Sequence, residues 1–189
     1  MFFFRRKSTI SSQELADTLA PRFTKTTVEL FEQEKEARGE QSWTVESAKG
    51  KCRTDPLKEW VLFSLAGYIN GCRSSMKQDA THFEFVRSFI AVCGRDFVAR
   101  GVFTSEAEFE QLAMERMSDY MDALQDGDAE KKMQLVGRKF LVNVGCELDD
   151  ISGRVGAIGS FMNESIHTKK LFDDLQKSYR VVSHSGEKK

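Results

Sequence analysis

Apolar residues recur along the chain at spacings of three and four, the signature of helices with one face turned inward. Ser11 followed by Glu14 forms a capping-box pattern. It predicts a helix with Leu15, Leu19 and Phe23 on one face and a kink or break near Ala20, because Pro21 interrupts the pattern. A second segment carrying Val28, Leu30 and Phe31 then runs to about Ala37. Thr54-Asp55-Pro56 is a helix start, with a capping side chain ahead of a proline in the first turn. Leu57, Trp60, Val61, Leu62, Phe63, Leu65, Tyr68 and Ile69 cover nearly the whole circumference of the helix that follows, and Gly71 falls near its end. Between Thr81 and Arg100, Phe83, Val86, Ile90, Cys93 and Phe97 define a face that Phe85, Phe89 and Val92 widen, and Gly101 supplies a C-cap.

Beyond Gly101 the pattern continues. Ser105 and Glu108 form a second capping box, opening a helix to about Asp126, and Gly127-Asp128 reads as a stop and restart. Met133, Val136, Phe140 and Val144 then share one face, with Leu135 and Val142 opposite. Residues 140–144, Trp43-Thr44-Val45 and Tyr179 to Val182 are short strand-prone spots. A last helical stretch, from about Leu148 to Tyr179, carries Ile151, Val155, Ile158, Met162, Leu171 and Leu175, with a break expected near Ser165 to Thr168. These elements predict an all-α, globular multi-helix bundle of about five to seven helices. Segments 57–70 and 82–98 are its central, largely buried helices. The 189 residues form one domain on this reading, with a basic segment at 1–10, a long loop at 39–54 and a polar tail at 183–189.

Composition removes several function classes. A net charge of −1 argues against a general nucleic-acid binder, whose footprint is an excess of Lys and Arg. The richest apolar run, Trp60 to Ile69, is half the length of a membrane span, which needs about 20 residues. Phe2-Phe3-Phe4-Arg5-Arg6-Lys7 reverses the order of a signal peptide, and the four cysteines contain no Cys-x-x-Cys pair. A reduced, soluble, cytoplasmic protein is expected.

One segment has directional meaning for function. From Ser105 to Glu130 the chain holds nine carboxylates and a single basic residue. At 100° per residue, Glu108, Glu115, Asp119, Asp122 and Asp126 fall in one arc, opposite Phe109, Leu112, Met117, Tyr120 and Leu124. Such a stripe is a solvated face or a docking surface for a basic segment of a protein partner. Met114 and Met121, seven apart, edge the same helix and either fill the core or adapt to a partner. Trp43, the only large aromatic of the long loop, either anchors that loop or presents an indole to a partner.

The remaining motifs are weaker. Gly153, Gly156 and Gly159 recur every third residue without the spacing or preceding strand of a dinucleotide site. The small pairs Gly153/Ala157 and Gly156/Ser160 read as close helix packing, a hinge or a self-association seam, so a homo-oligomer stays open. Glu164 and His167 have the Glu-x-x-His spacing of di-iron bundles, but no second copy exists. No catalytic, cofactor-binding or metal-ligating residue is nominated. The leading expectation is a non-enzymatic adaptor, regulator, chaperone-like or inhibitor module. The alternative is a helical small-ligand- or metal-binding protein, even an enzyme, with a pocket between the central aromatic helices.

Overall fold

The computed structural model describes residues 7–38, 55–125, 128–144 and 151–183. Within them lie six helices: α1 Ser12–Arg38, α2 Pro56–Ser75, α3 Ala80–Ala99, α4 Glu106–Ala123, α5 Ala129–Val144 and α6 Ile151–Ser178. Two four-residue strands, β1 Ser8–Ser11 and β2 Tyr179–Val182, pair in parallel with Ser8 opposite Tyr179 and Ser11 opposite Val182. The result is an all-α bundle with a small ribbon that pairs the segment just before α1 with the segment just after α6. Among the described residues no helix is long and apolar enough to cross a membrane. Trp43 and Asp126 lie outside the described residues, as does all but Ser183 of the polar tail.

Local chemistry sets the helix boundaries. At the start of α1, Ser11 Oγ accepts from the Glu14 N–H at 3.1 Å, and the Glu14 carboxylate accepts from the Ser11 N–H at 2.9 Å. Asp55 caps α2 by accepting from the N–H groups of Leu57 and Lys58, with Pro56 in the first turn. Helix α3 ends in a Schellman motif around Gly101, whose φ of +73° suits a residue without Cβ. There the Val102 N–H reaches Phe97 O and the Gly101 N–H reaches Val98 O, both at 2.9 Å.

Helix α2 divides the interior. Val61, Leu62, Leu65, Tyr68, Ile69 and Cys72 face a first cluster shared with α1, α3, Phe109 and Ala113 of α4, and Phe172 of α6. Trp60, Phe63 and Ala66 face a second, shared with Tyr120, Phe140 and Phe161. Helix α3 is the second largely buried helix. It buries Phe85, Phe89, Val92, Cys93 and Phe97, whereas Phe83 is 64% exposed. Both apolar arcs pack, since Cys93 and Phe97 of the first are fully buried and Val86 and Ile90 partly so, and only Phe83, in the first turn, points outward.

Three other expectations differ. Helix α1 runs unbroken through Pro21, whose ring faces solvent. Residues 140–144 complete α5 rather than forming a strand. Helix α6 continues through Ser165 to Thr168 because those polar side chains bind neighbours instead of breaking the helix. Ser165 Oγ donates to Gly67 O of α2 at 2.9 Å, and Thr168 is buried.

Candidate functional sites

The acidic stripe of α4 divides into two halves. Glu108 belongs to the capping network. Ser105 Oγ accepts from the Glu108 N–H, while the Glu108 carboxylate takes the Thr104 N–H at 2.7 Å and its hydroxyl at 2.6 Å. Lys58 of α2 also pairs with it, and these bonds, led by that from Lys58, hold its carboxyl down to about 2. Asp119 faces Lys139 of α5 at 3.2 Å. Glu115 takes a hydrogen bond from Gln111 at 3.1 Å and lies 3.9 Å from the Arg116 guanidinium. The protein's own cations therefore occupy part of the stripe.

The other half faces solvent. Glu110, Met114, Glu115, Ser118 and Asp122 are exposed, and the carboxylates of Glu110 and Asp122 have no partner among the described residues. Met114 is 76% exposed, the most open large apolar side chain described, whereas Met121 packs on the second cluster. Behind this face lies a polar centre to which the sequence pattern gives no clue. Glu59 of α2 is fully buried and accepts from Arg116 Nε at 2.8 Å, Tyr120 Oη at 2.5 Å and Asn143 Nδ2 at 3.2 Å. Burial, and then the Glu59 charge, push the Tyr120 phenol well above its ordinary value. Burial lowers the Arg116 pKa, but Glu59 outweighs that loss and the net shift is upward. A lone carboxylate in the first turn of a helix resembles an ordinary partner of the helix dipole, which is why Glu59 escapes notice.

Two glycines of α2 permit close packing. A Cβ on Gly71 would lie 2.5 Å from Ser165 O and 2.7 Å from Thr168 Cβ, and one on Gly67 would lie 3.3 Å from Glu164 Cβ. Gly67 and Gly71 thus let α2 and α6 touch, and their four-residue spacing is the sequence signal for it. In α6, Ala157 is buried in the second cluster, Gly156 and Ser160 are half-buried, Gly159 faces open space, and Gly153 lies in the first turn.

A cleft of about 350 Å³ lies between α1 and α6, above Tyr68 of α2. Leu19, Phe23, Leu30 and Leu171 form its apolar walls, while Arg22, Glu164 and His167 bring charge or titratable groups. Glu164 and His167 therefore share one site, although no group of three metal-ligating side chains forms among the described residues. Tyr68 is 5% exposed and its hydroxyl has no hydrogen-bond partner among the described residues. The Glu164 carboxylate makes a single long bond, 3.4 Å from Thr168 Oγ1, and burial pushes its pKa up to about 7.

A larger hollow of about 540 Å³ beside the ribbon is lined by Lys7, Lys77, Asp79 and Arg180. Its one carboxylate, Asp79, already caps α3 through the N–H groups of Thr81 and His82. Cys72 and Cys93 are free thiols buried in the first cluster, and burial raises both pKa values, so neither is an activated nucleophile. The chain matches no protein-family model, no curated protein and no solved structure.

Proposed function

We propose that the protein is a non-enzymatic, intracellular interaction module that offers the outer face of α4 to a basic, amphipathic segment of a protein partner. The observation that carries this reading is Met114, 76% exposed beside Glu110, Glu115 and Asp122. An unbranched, polarizable side chain in an anionic frame suits an apolar anchor flanked by Lys or Arg. The stripe's other half, committed to Lys58 and Lys139, sets the border of the surface.

The test uses a helical peptide of leucine and lysine, titrated at several salt concentrations into wild type and into Glu110→Gln/Glu115→Gln/Asp122→Asn. Wild type should bind with an affinity that falls as salt rises. The triple variant should keep its fold and lose affinity chiefly through slower association. Absence of binding, or equal binding by the triple variant, would remove α4 as the docking surface. A second reading, small-ligand binding by the fold, is supported by the cleft over Tyr68 and uses a different face.

A further inference from the structure

We infer that the cleft between α1 and α6 takes a small molecule with one primary ammonium group on an apolar body, the ammonium held by Glu164 and Tyr68. The inference rests on the second reading above and adds the chemical class of the ligand. The Tyr68 ring stacks on Phe89 with centroids 4.5 Å apart and a 5° interplanar angle, and it meets Phe23 at 5.0 Å. Held on both sides, it cannot swing to find another partner, so the orphaned hydroxyl keeps its place. Buried polar groups are normally paired, and this hydroxyl, closed to water on a residue that lines the cleft, is an acceptor that a ligand donor reaches as the side chains over it give way.

The donor balance selects the ligand. Glu164 offers carboxylate oxygens and makes no ion pair among the described residues, while the phenol oxygen of Tyr68 also accepts. An ammonium carries three donors and no acceptor, which matches an acceptor-rich floor. Burial without a cation is what raises the Glu164 pKa, and a bound ammonium would lower it again. Leu19, Phe23 and Leu171 provide the wall for an apolar body. The other titratable groups around the site are Arg22 on α1, His167 on α6, and the thiols Cys72 and Cys93 behind Tyr68. The thiols stay neutral, and Arg22 disfavours a second positive charge, so a monoamine fits better than a polyamine.

The experiment is titration of the whole chain near pH 8 with 2-phenylethylamine, 2-phenylethanol and 3-phenylpropanoate, followed by amide chemical shifts. The amine should saturate, perturb residues of α1 and α6 around Phe23 and Glu164, and bind about tenfold more tightly than the alcohol. Glu164→Gln should bring the amine down to the level of the alcohol. Tyr68→Phe, which keeps the ring packing, should weaken the amine alone. Circular dichroism confirms that each variant is folded, and the carboxyl carbon of wild-type Glu164 gives a variant-free readout. Its titration midpoint should fall when the amine binds. Alcohol or carboxylate binding as tight as the amine, or amine binding indifferent to Glu164→Gln, overturns the ammonium assignment alone. If none of the three binds, the ligand-binding reading falls with it.

Discussion

A carboxylate without solvent contact has to be matched atom by atom, and Glu59 is matched by Arg116, Tyr120 and Asn143. Removing one partner of a buried pair leaves an uncompensated charge, so Arg116→Met should cost about 3–5 kcal/mol in urea denaturation. Adding Glu59→Leu to that variant should restore part of the loss, since both charges then leave the interior. A double variant less stable than the single one would show that Glu59 does not depend on Arg116. Glu164 makes a contrasting case. Its folded pKa of about 7 lies above the ordinary 4.5, so between those values the folded protein holds a proton that the unfolded chain releases. Stability from this group is therefore present at low pH, falls as pH rises through about 4.5 to 7, and is level above that. At about 1.4 kcal/mol per pKa unit the effect is bounded near 3 kcal/mol, and water reaching the half-buried side chain lowers it. Glu164→Gln should stabilise the protein at pH 8 relative to wild type and not at pH 5, as denaturation at the two pH values would show. Neither role is legible from sequence. A Glu among apolar neighbours reads alike whether it ends in water, in an ion pair or alone in a cleft, and only the placement of other helices decides.

At the scale of single elements, capping and periodicity carried most of the information. Ser11/Glu14, Asp55-Pro56, Ser105 and Gly101 mark helix ends because their bonds are local and need no tertiary partner. What sequence could not show was where an apolar face stops being covered. In α3, Cys93 and Phe97 are buried while Phe83, in the same arc, is exposed, and only the reach of the neighbouring helices separates them. The β1–β2 ribbon was half legible, since Tyr179 to Val182 joins an aromatic to two valines, whereas Ser8 to Ser11 has serines at both ends of its β-branched pair and is a strand because β2 pairs with it. Glycine gives the sharpest test at this scale. In Gly71→Ala the new methyl group would meet the Ser165 carbonyl and Thr168 Cβ, neither the tip of a flexible chain, so a loss of about 1–3 kcal/mol is expected. Gly159→Ala adds the same group in open space on an exposed helix face and should stabilise by about 0.5–1 kcal/mol. Thermal melts of the two variants should move in opposite directions. A harmless Gly71→Ala would mean that α2 and α6 are farther apart than their glycines imply.

For the molecule as a whole, the consequence of α2 is cooperativity. Two aromatic clusters could behave as separate folding units, but the same twenty-residue helix supplies Leu62, Leu65 and Tyr68 to one and Trp60 and Phe63 to the other. Phe63 meets the rings of Tyr120, Phe140 and Phe161 at centroid distances of 5.3, 4.4 and 5.3 Å, so it ties α4, α5 and α6 to α2. The first cluster has an equivalent centre in Phe89, between Phe23, Tyr68 and Phe85. Truncating either ring removes a large buried area and leaves a cavity, a loss of about 3–5 kcal/mol. If α2 couples the clusters, Phe63→Ala and Phe89→Ala should each shift a single transition, with helix content and aromatic circular dichroism still changing together. If the clusters are independent, Phe63→Ala should split the curve, because the helices around Phe89 would keep their stability while α5 and the Tyr120 end of α4 melt early. The second outcome would also alter the functional picture. The Asp122 end of the α4 face and the cleft over Tyr68 would then belong to units of different stability, and occupying the cleft would leave the melting of that end of α4 unchanged. A single transition predicts the opposite, that a ligand held by Glu164 raises the temperature at which α4 is lost.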